Sequence, residues 1–107
     1  DAGALDAYRQ NFEGKERIGG AEEFRSVQQA ARILSRRGKH DQALKTLDRI
    51  NAAKQNGSWR ATTYAIRGDL LTAADRKPEA RAAYKAALAK PGLPDAWRSK
   101  LQRALEE

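Results

Sequence analysis

Cysteine is absent from the sequence, and with it go disulfides, thiolate catalysis and cysteine-based zinc sites. The absence leaves the compartment open, because a cysteine-free chain is at home in either redox environment. Methionine is absent too, even at the first position. A chain that begins at Asp1 reads as a processed product or an excised domain, and any signal peptide or anchor upstream would lie outside it. No apolar run approaches the roughly 20 residues that cross a bilayer, so no transmembrane segment is expected within these residues.

Catalytic groups are equally scarce. His40 is the only histidine. A general base or metal site there would need company, and with no second histidine and no cysteine the expected role is packing or capping. Asp69 and Asp75 are six residues apart and do not share a helix face. Glu22 and Glu23 open a helix, where carboxylates complement its dipole, and Glu106 and Glu107 end the chain. None of these forms a pair suited to general acid–base work. No Gly-x-Gly or Walker-type loop occurs; "RIGG" and "NGS" read as turns. No catalytic residue, cofactor site or metal site is expected, and the chain does not read as an enzyme.

What is present favours helix. The length of 107 residues suits one small domain. Hydrophobic residues make up 40%, but many are alanine, which argues for a stack of thin helices rather than a core of large side chains. Ala, Leu, Arg, Lys, Glu and Gln dominate, and β-branched residues are sparse. The 21 basic residues outnumber 14 acidic ones for a net charge of +7. That charge suits acidic proteins, nucleic acid or an anionic membrane surface. The basic residues are scattered rather than blocked into a tail, which favours protein over nucleic acid.

Helical periodicity predicts a first helix from about Ala2 to Phe12, followed by the glycine-rich "EGKERIGG". A second runs from about Ala21 to Arg37 and is stopped by Gly38. A third runs from Lys39–Asp41 to about Ala52. "KQNGS" is a predicted loop, with Ser58 capping a fourth helix over about Trp59 to Ala74. The fifth begins at Pro78, which suits a first turn because its missing N–H would be unpaired there anyway. Asp95 is expected to cap a final helix bearing Trp97, Leu101 and Leu105.

The pattern repeats at an offset of 37 residues, with Val27 falling on Tyr64, Ala31 on Gly68, Leu34 on Leu71, Ala43 on Ala80 and Leu47 on Tyr84. A helix pair recurring at such a period is the mark of an α-solenoid. Ala31, Gly68, Ala43 and Ala80 are small where the two helices of a pair must approach, and Ala80 is expected to meet the helix that carries Gly68. The boundaries are residues 1–20 for an N-terminal helix and loop, 21–52 and 58–91 for the repeats, and 94–107 for a capping helix.

These residues resemble the tetratricopeptide repeat family. Counted from Phe24, the first copy places Ala31, Gly38, Ala43, Leu47 and Ile50 at the family's patterned positions; counted from Ala61, the second places Gly68, Asp75, Ala80, Tyr84 and Ala87. Ile50, Arg67 and Asp75 depart from the commonest choices. The resemblance implies an all-α, right-handed solenoid of two helix pairs, with the first helix of each lining a concave groove that binds a protein or peptide. By position the groove residues would be Arg25, Gln28, Arg32, Ser35 and Arg36, then Thr62, Ala65, Asp69, Thr72 and Ala73. Arg25, Arg32 and Arg36 share one helical face, which suits an acidic ligand. Gln28 and Arg32 stand where the family's carboxylate clamp has lysine and asparagine, so that chaperone-tail specificity is not expected. Trp59, Tyr64, Tyr84 and Trp97 could stack bases, but their spacing assigns them to the seams between helices.

"ALKTLDRI" and "RGDLLTAADRKPEARAAYKAAL", followed by a helix with an early tryptophan, further resemble the extracytoplasmic repeat domain of the ancillary subunit of the bacterial Sec translocon. That resemblance implies a periplasmic setting beside the translocon and its chaperones. Three function classes are carried forward: a protein-interaction module, a nucleic-acid binder, and a structural segment of a longer solenoid.

Overall fold

A computed structural model describes residues 2–14, 21–50 and 57–106, and their regular structure is entirely helical. The helices are α1 (Ala2–Gln10), α2 (Ala21–Arg36), α3 (His40–Leu47), α4 (Gly57–Ala73), α5 (Lys77–Leu88) and α6 (Asp95–Glu106). Most of the predicted "EGKERIGG" break, and "KQNGS" up to Asn56, lie outside the described residues. The chain divides into two compact units, Asp1–Asn51 and Ala52–Glu107, each holding one helix hairpin and one flanking helix.

In the first unit α1 packs on α2, and α2 on α3. Val27, Ala30, Ala31 and Leu34 of α2 are enclosed, as are Ala43 and Leu47 of α3. Phe12 lies past the end of α1 and is also buried, with the Arg49 guanidinium 5.7 Å from its ring centroid and donating to its carbonyl at 3.3 Å. Ser26 is buried and accepts a hydrogen bond from Asn11 Nδ2 at 2.8 Å, so this polar group is not stranded in the core.

Helix α3 ends at Leu47, earlier than the predicted Ala52. The Arg49 and Ile50 amides bond to the Thr46 and Leu47 carbonyls, three residues back, which tightens the chain into a turn. The turn keeps Ile50 in the core at 5% exposure. Two helices also start earlier than expected, α4 by two residues and α6 by one. Helix α4 begins at Gly57, which places Ser58 inside the first turn rather than before it. Helix α6 begins at Asp95, and the Arg98 amide bonds to the Pro94 carbonyl, so Pro94 is the flanking residue and Asp95 complements the dipole from within the first turn.

In the second unit α4 packs on α5, and α6 contacts both. Helix α4 is enclosed on most sides: Ala61, Thr63, Ala65, Ile66, Gly68, Leu70 and Leu71 are buried. Ala80 is buried on α5, which packs on α4, and the side chain nearest to a Cβ at Gly68 is that of Tyr84. A Cβ built on Gly68 would overlap the Tyr84 ring, so the glycine is what lets the ring approach α4 this closely.

The two hairpins turn in the same way. Gly38 and Asp75 are equivalent in the repeat, and both have positive φ, 79° and 61°. After each, an amide reaches back five residues: Lys39 N–H to Leu34 O and Arg76 N–H to Leu71 O, both at 2.9 Å. This is the left-handed helix ending that glycine normally supplies.

Candidate functional site

Helix α2 carries the first set of candidate residues. Its core-facing positions cluster on one side, and Arg25, Arg32 and Arg36 fall on the opposite side within a narrow arc. Arg25 and Arg36 are exposed, Arg32 and Ser35 are half-buried, and Gln28 is buried at 4% exposure. The surface this helix offers is therefore an arginine stripe with Ser35 beside it.

Helix α4 carries the second set. Thr62 and Asp69 are half-buried, Thr72 and Ala73 exposed, and Ala65 fully enclosed. Asp69 is tied up within its own unit. Its Oδ1 accepts from the Tyr84 hydroxyl at 2.7 Å, and its Oδ2 accepts from Lys100 Nζ of α6 at 2.9 Å. With the Tyr84 proton on Asp69, the single Thr72 hydroxyl proton is shared between the Tyr84 oxygen at 3.2 Å and the Gly68 carbonyl at 3.0 Å. Burial pushes the Tyr84 phenol up to about 12; the Thr72 hydrogen bond opposes the rise, and the Asp69 carboxylate adds to it. Sequence reasoning missed this cluster, because Lys100 and Asp69 are 31 residues apart and no local spacing links them.

Among the aromatic candidates Tyr84 is buried, and Trp59, Tyr64 and Trp97 are half-buried. Lysines already lie over two of their faces: Lys90 is 5.4 Å from the Tyr64 centroid and Lys100 is 4.6 Å from that of Trp97. His40 is half-buried, and its Nδ1 has no hydrogen-bond partner among the described residues. Among the described residues no group of three or more His, Asp or Glu could hold a metal ion. No large hydrophobic residue among them is exposed, and no helix is long and apolar enough to cross a membrane.

Two helix hairpins with matching turns, matching small positions and polar outer faces define an all-helical repeat protein. The model of the tetratricopeptide repeat-like domain family matches residues 2–106, and the chain belongs to that family. Its members are generally protein-interaction modules and typically serve as non-enzymatic scaffolds. No curated protein and no solved structure matched the chain.

Proposed function

We propose that the chain is a non-catalytic interaction module that binds an acidic protein or peptide segment through the α2 face bearing Arg25, Arg32 and Arg36. The observation that carries this reading is the placement of three arginines on one side of α2, opposite its packed face. Arginine forks pair bidentately with carboxylates, and a segment with acidic residues at helical or extended spacing could meet all three. With no large hydrophobic exposed among the described residues, recognition here rests on charge and hydrogen bonding. Ser35 supplies a hydroxyl beside the stripe. On α4, Thr62 and Thr72 offer polar groups of the same kind, and Asp69 is engaged by Tyr84 and Lys100.

We further propose that the chain works in the periplasm beside the Sec translocon. The support for this is the sequence resemblance around Ala43–Ile50 and Arg67–Leu88.

The test is affinity capture with the intact chain, followed by charge reversal. Changing Arg25, Arg32 and Arg36 to Glu should abolish capture of an acidic partner without unfolding the chain. The control changes Lys45, Lys77 and Lys85 to Glu, all exposed and on the second helices. Arg49 is unsuitable as a control because it holds Phe12. Equal binding by the two triple variants would reduce the stripe to a solvated face. A captured nucleic acid, with binding that falls steeply as salt rises, would favour the phosphate-binding alternative.

A further inference from the structure

Helix α6 is held on the second unit by one deep apolar contact and one polar point. Leu101 is fully enclosed, whereas Trp97, Ala104 and Leu105 are only half-buried. The polar point is Lys100, which donates to Asp69 Oδ2 at 2.9 Å while lying 4.6 Å from the Trp97 ring centroid. The receiving carboxylate is oriented without α6. Asp69 and Tyr84 both belong to the α4–α5 hairpin, and the Tyr84 hydroxyl holds Oδ1 at 2.7 Å. The phenol keeps its proton through neutral pH, so it remains a donor to that oxygen. The other oxygen is left to face a cation.

The connection from α5 also suits a separable helix. Two prolines, Pro91 and Pro94, and Gly92 at φ 86° stand between them. None of these continues α5, so α6 can leave without unwinding the hairpin, provided that Leu93 between them, buried at 5% exposure, stays seated.

We propose that the α4–α5 hairpin is a receptor for a lysine-bearing amphipathic helix, and that α6 is its intramolecular occupant. A partner helix takes the same seat when it carries an aromatic residue, a lysine three positions on and a leucine directly after the lysine. Such a helix reproduces what Trp97, Lys100 and Leu101 do. The seat recognises a cation and an apolar side chain, the opposite charge sense to the α2 stripe, and it stands whether or not that stripe binds anything. Without a competitor α6 covers the seat, in keeping with the lack of exposed large hydrophobics among the described residues.

The test uses the full chain and a fluorescein-labelled peptide copying residues 94–106, in native form and with Lys100→Glu. Tethered α6 competes at an effective concentration in the millimolar range, so the wild-type chain should bind the native peptide weakly. A chain carrying Lys100→Glu should hold its own helix less firmly and bind the native peptide about fivefold more tightly, the scale of one partly exposed ion pair. A chain carrying Asp69→Lys should reverse the choice and prefer the Lys100→Glu peptide. Equal binding of both peptides by both chains, or no binding by either, overturns the proposal. Hydrogen exchange on the wild-type chain checks it without any variant. The α6 amides should exchange through an opening that leaves α4 and α5 protected. If α6 exchanges only together with α4, the helix is not separable and the proposal fails.

Discussion

The hairpins α2–α3 and α4–α5 reach the same turn with different residues. At the turn the first uses Gly38 and the second Asp75, yet both take a left-handed conformation and both close the same five-residue hydrogen bond. At the crossing the second has Gly68 against Tyr84, and at the equivalent positions the first has Ala31 and Leu47, both buried. One side has lost a methyl where the other has gained a ring. The repeat therefore constrains the backbone at the turn and the combined volume at the crossing, rather than individual residue identities. The outer faces are not constrained in that way. Helix α2 turns three arginines away from its core, whereas α4 is enclosed on most sides and directs Asp69 to Tyr84 and Lys100.

Swapping residues between the hairpins should break this equivalence in graded steps. The largest effect is expected at the crossing. Gly68→Ala drives a methyl into the Tyr84 ring and should cost about 3 kcal/mol, the upper end for overpacking. The reciprocal Ala31→Gly should cost only about 1 kcal/mol, through backbone entropy. Adding Tyr84→Leu to Gly68→Ala should recover much of the loss. Urea melts measure these three and Tyr84→Leu alone, and additive effects in the double variant would mean that the two side chains do not meet.

Alkaline pH should separate the hairpins next. The folded Tyr84 phenol lies at about 12 against an ordinary value of 10.0, so folding disfavours its ionised form. Its contribution is complete below about pH 10 and is lost as pH rises toward and through 12, on the order of 2 kcal/mol in all. Leu47 occupies the equivalent place in the first hairpin, which therefore lacks this loss. Tyr84→Phe should flatten stability against pH over that window; an unchanged profile would place the titration elsewhere.

The smallest effects belong to the turns. Gly38→Ala meets no atom within 4 Å, so its cost, about 1 kcal/mol, is purely conformational. Asp75→Gly should stabilise the second hairpin by about 0.5–1 kcal/mol, because it relieves a side chain held at positive φ. Thermal melts in which Asp75→Gly is destabilising would show that the Asp75 side chain contributes something there beyond the turn.

Much of the fold was legible because its causes are local. Helical periodicity located the six helices of the described residues, the small residues at a fixed offset marked the hairpins, and Gly38 ended α2 as its position implied. Helix ends were less legible. The turn after Leu47 goes with burial of Ile50 in the core, a packing contact that local propensity does not reveal. The candidate surface was legible in part. The arginines of α2 share a face by spacing, but the same spacing set Gln28 among the groove residues, and it is buried.

The sequence by itself determined the helical class, the repeat and the shared face of the three arginines, because each follows from spacing along one helix or between two copies of it. Only the tertiary structure decided what the polar residues of the second unit do. Asp69, Tyr84 and Lys100 come from three helices, and nothing in their order along the chain shows that one carboxylate will hold a phenol with one oxygen and an ammonium with the other. The physical reason is that a hydrogen bond needs its partners within about 3 Å. Among residues 15 and 31 positions away in sequence, only packing brings them that close.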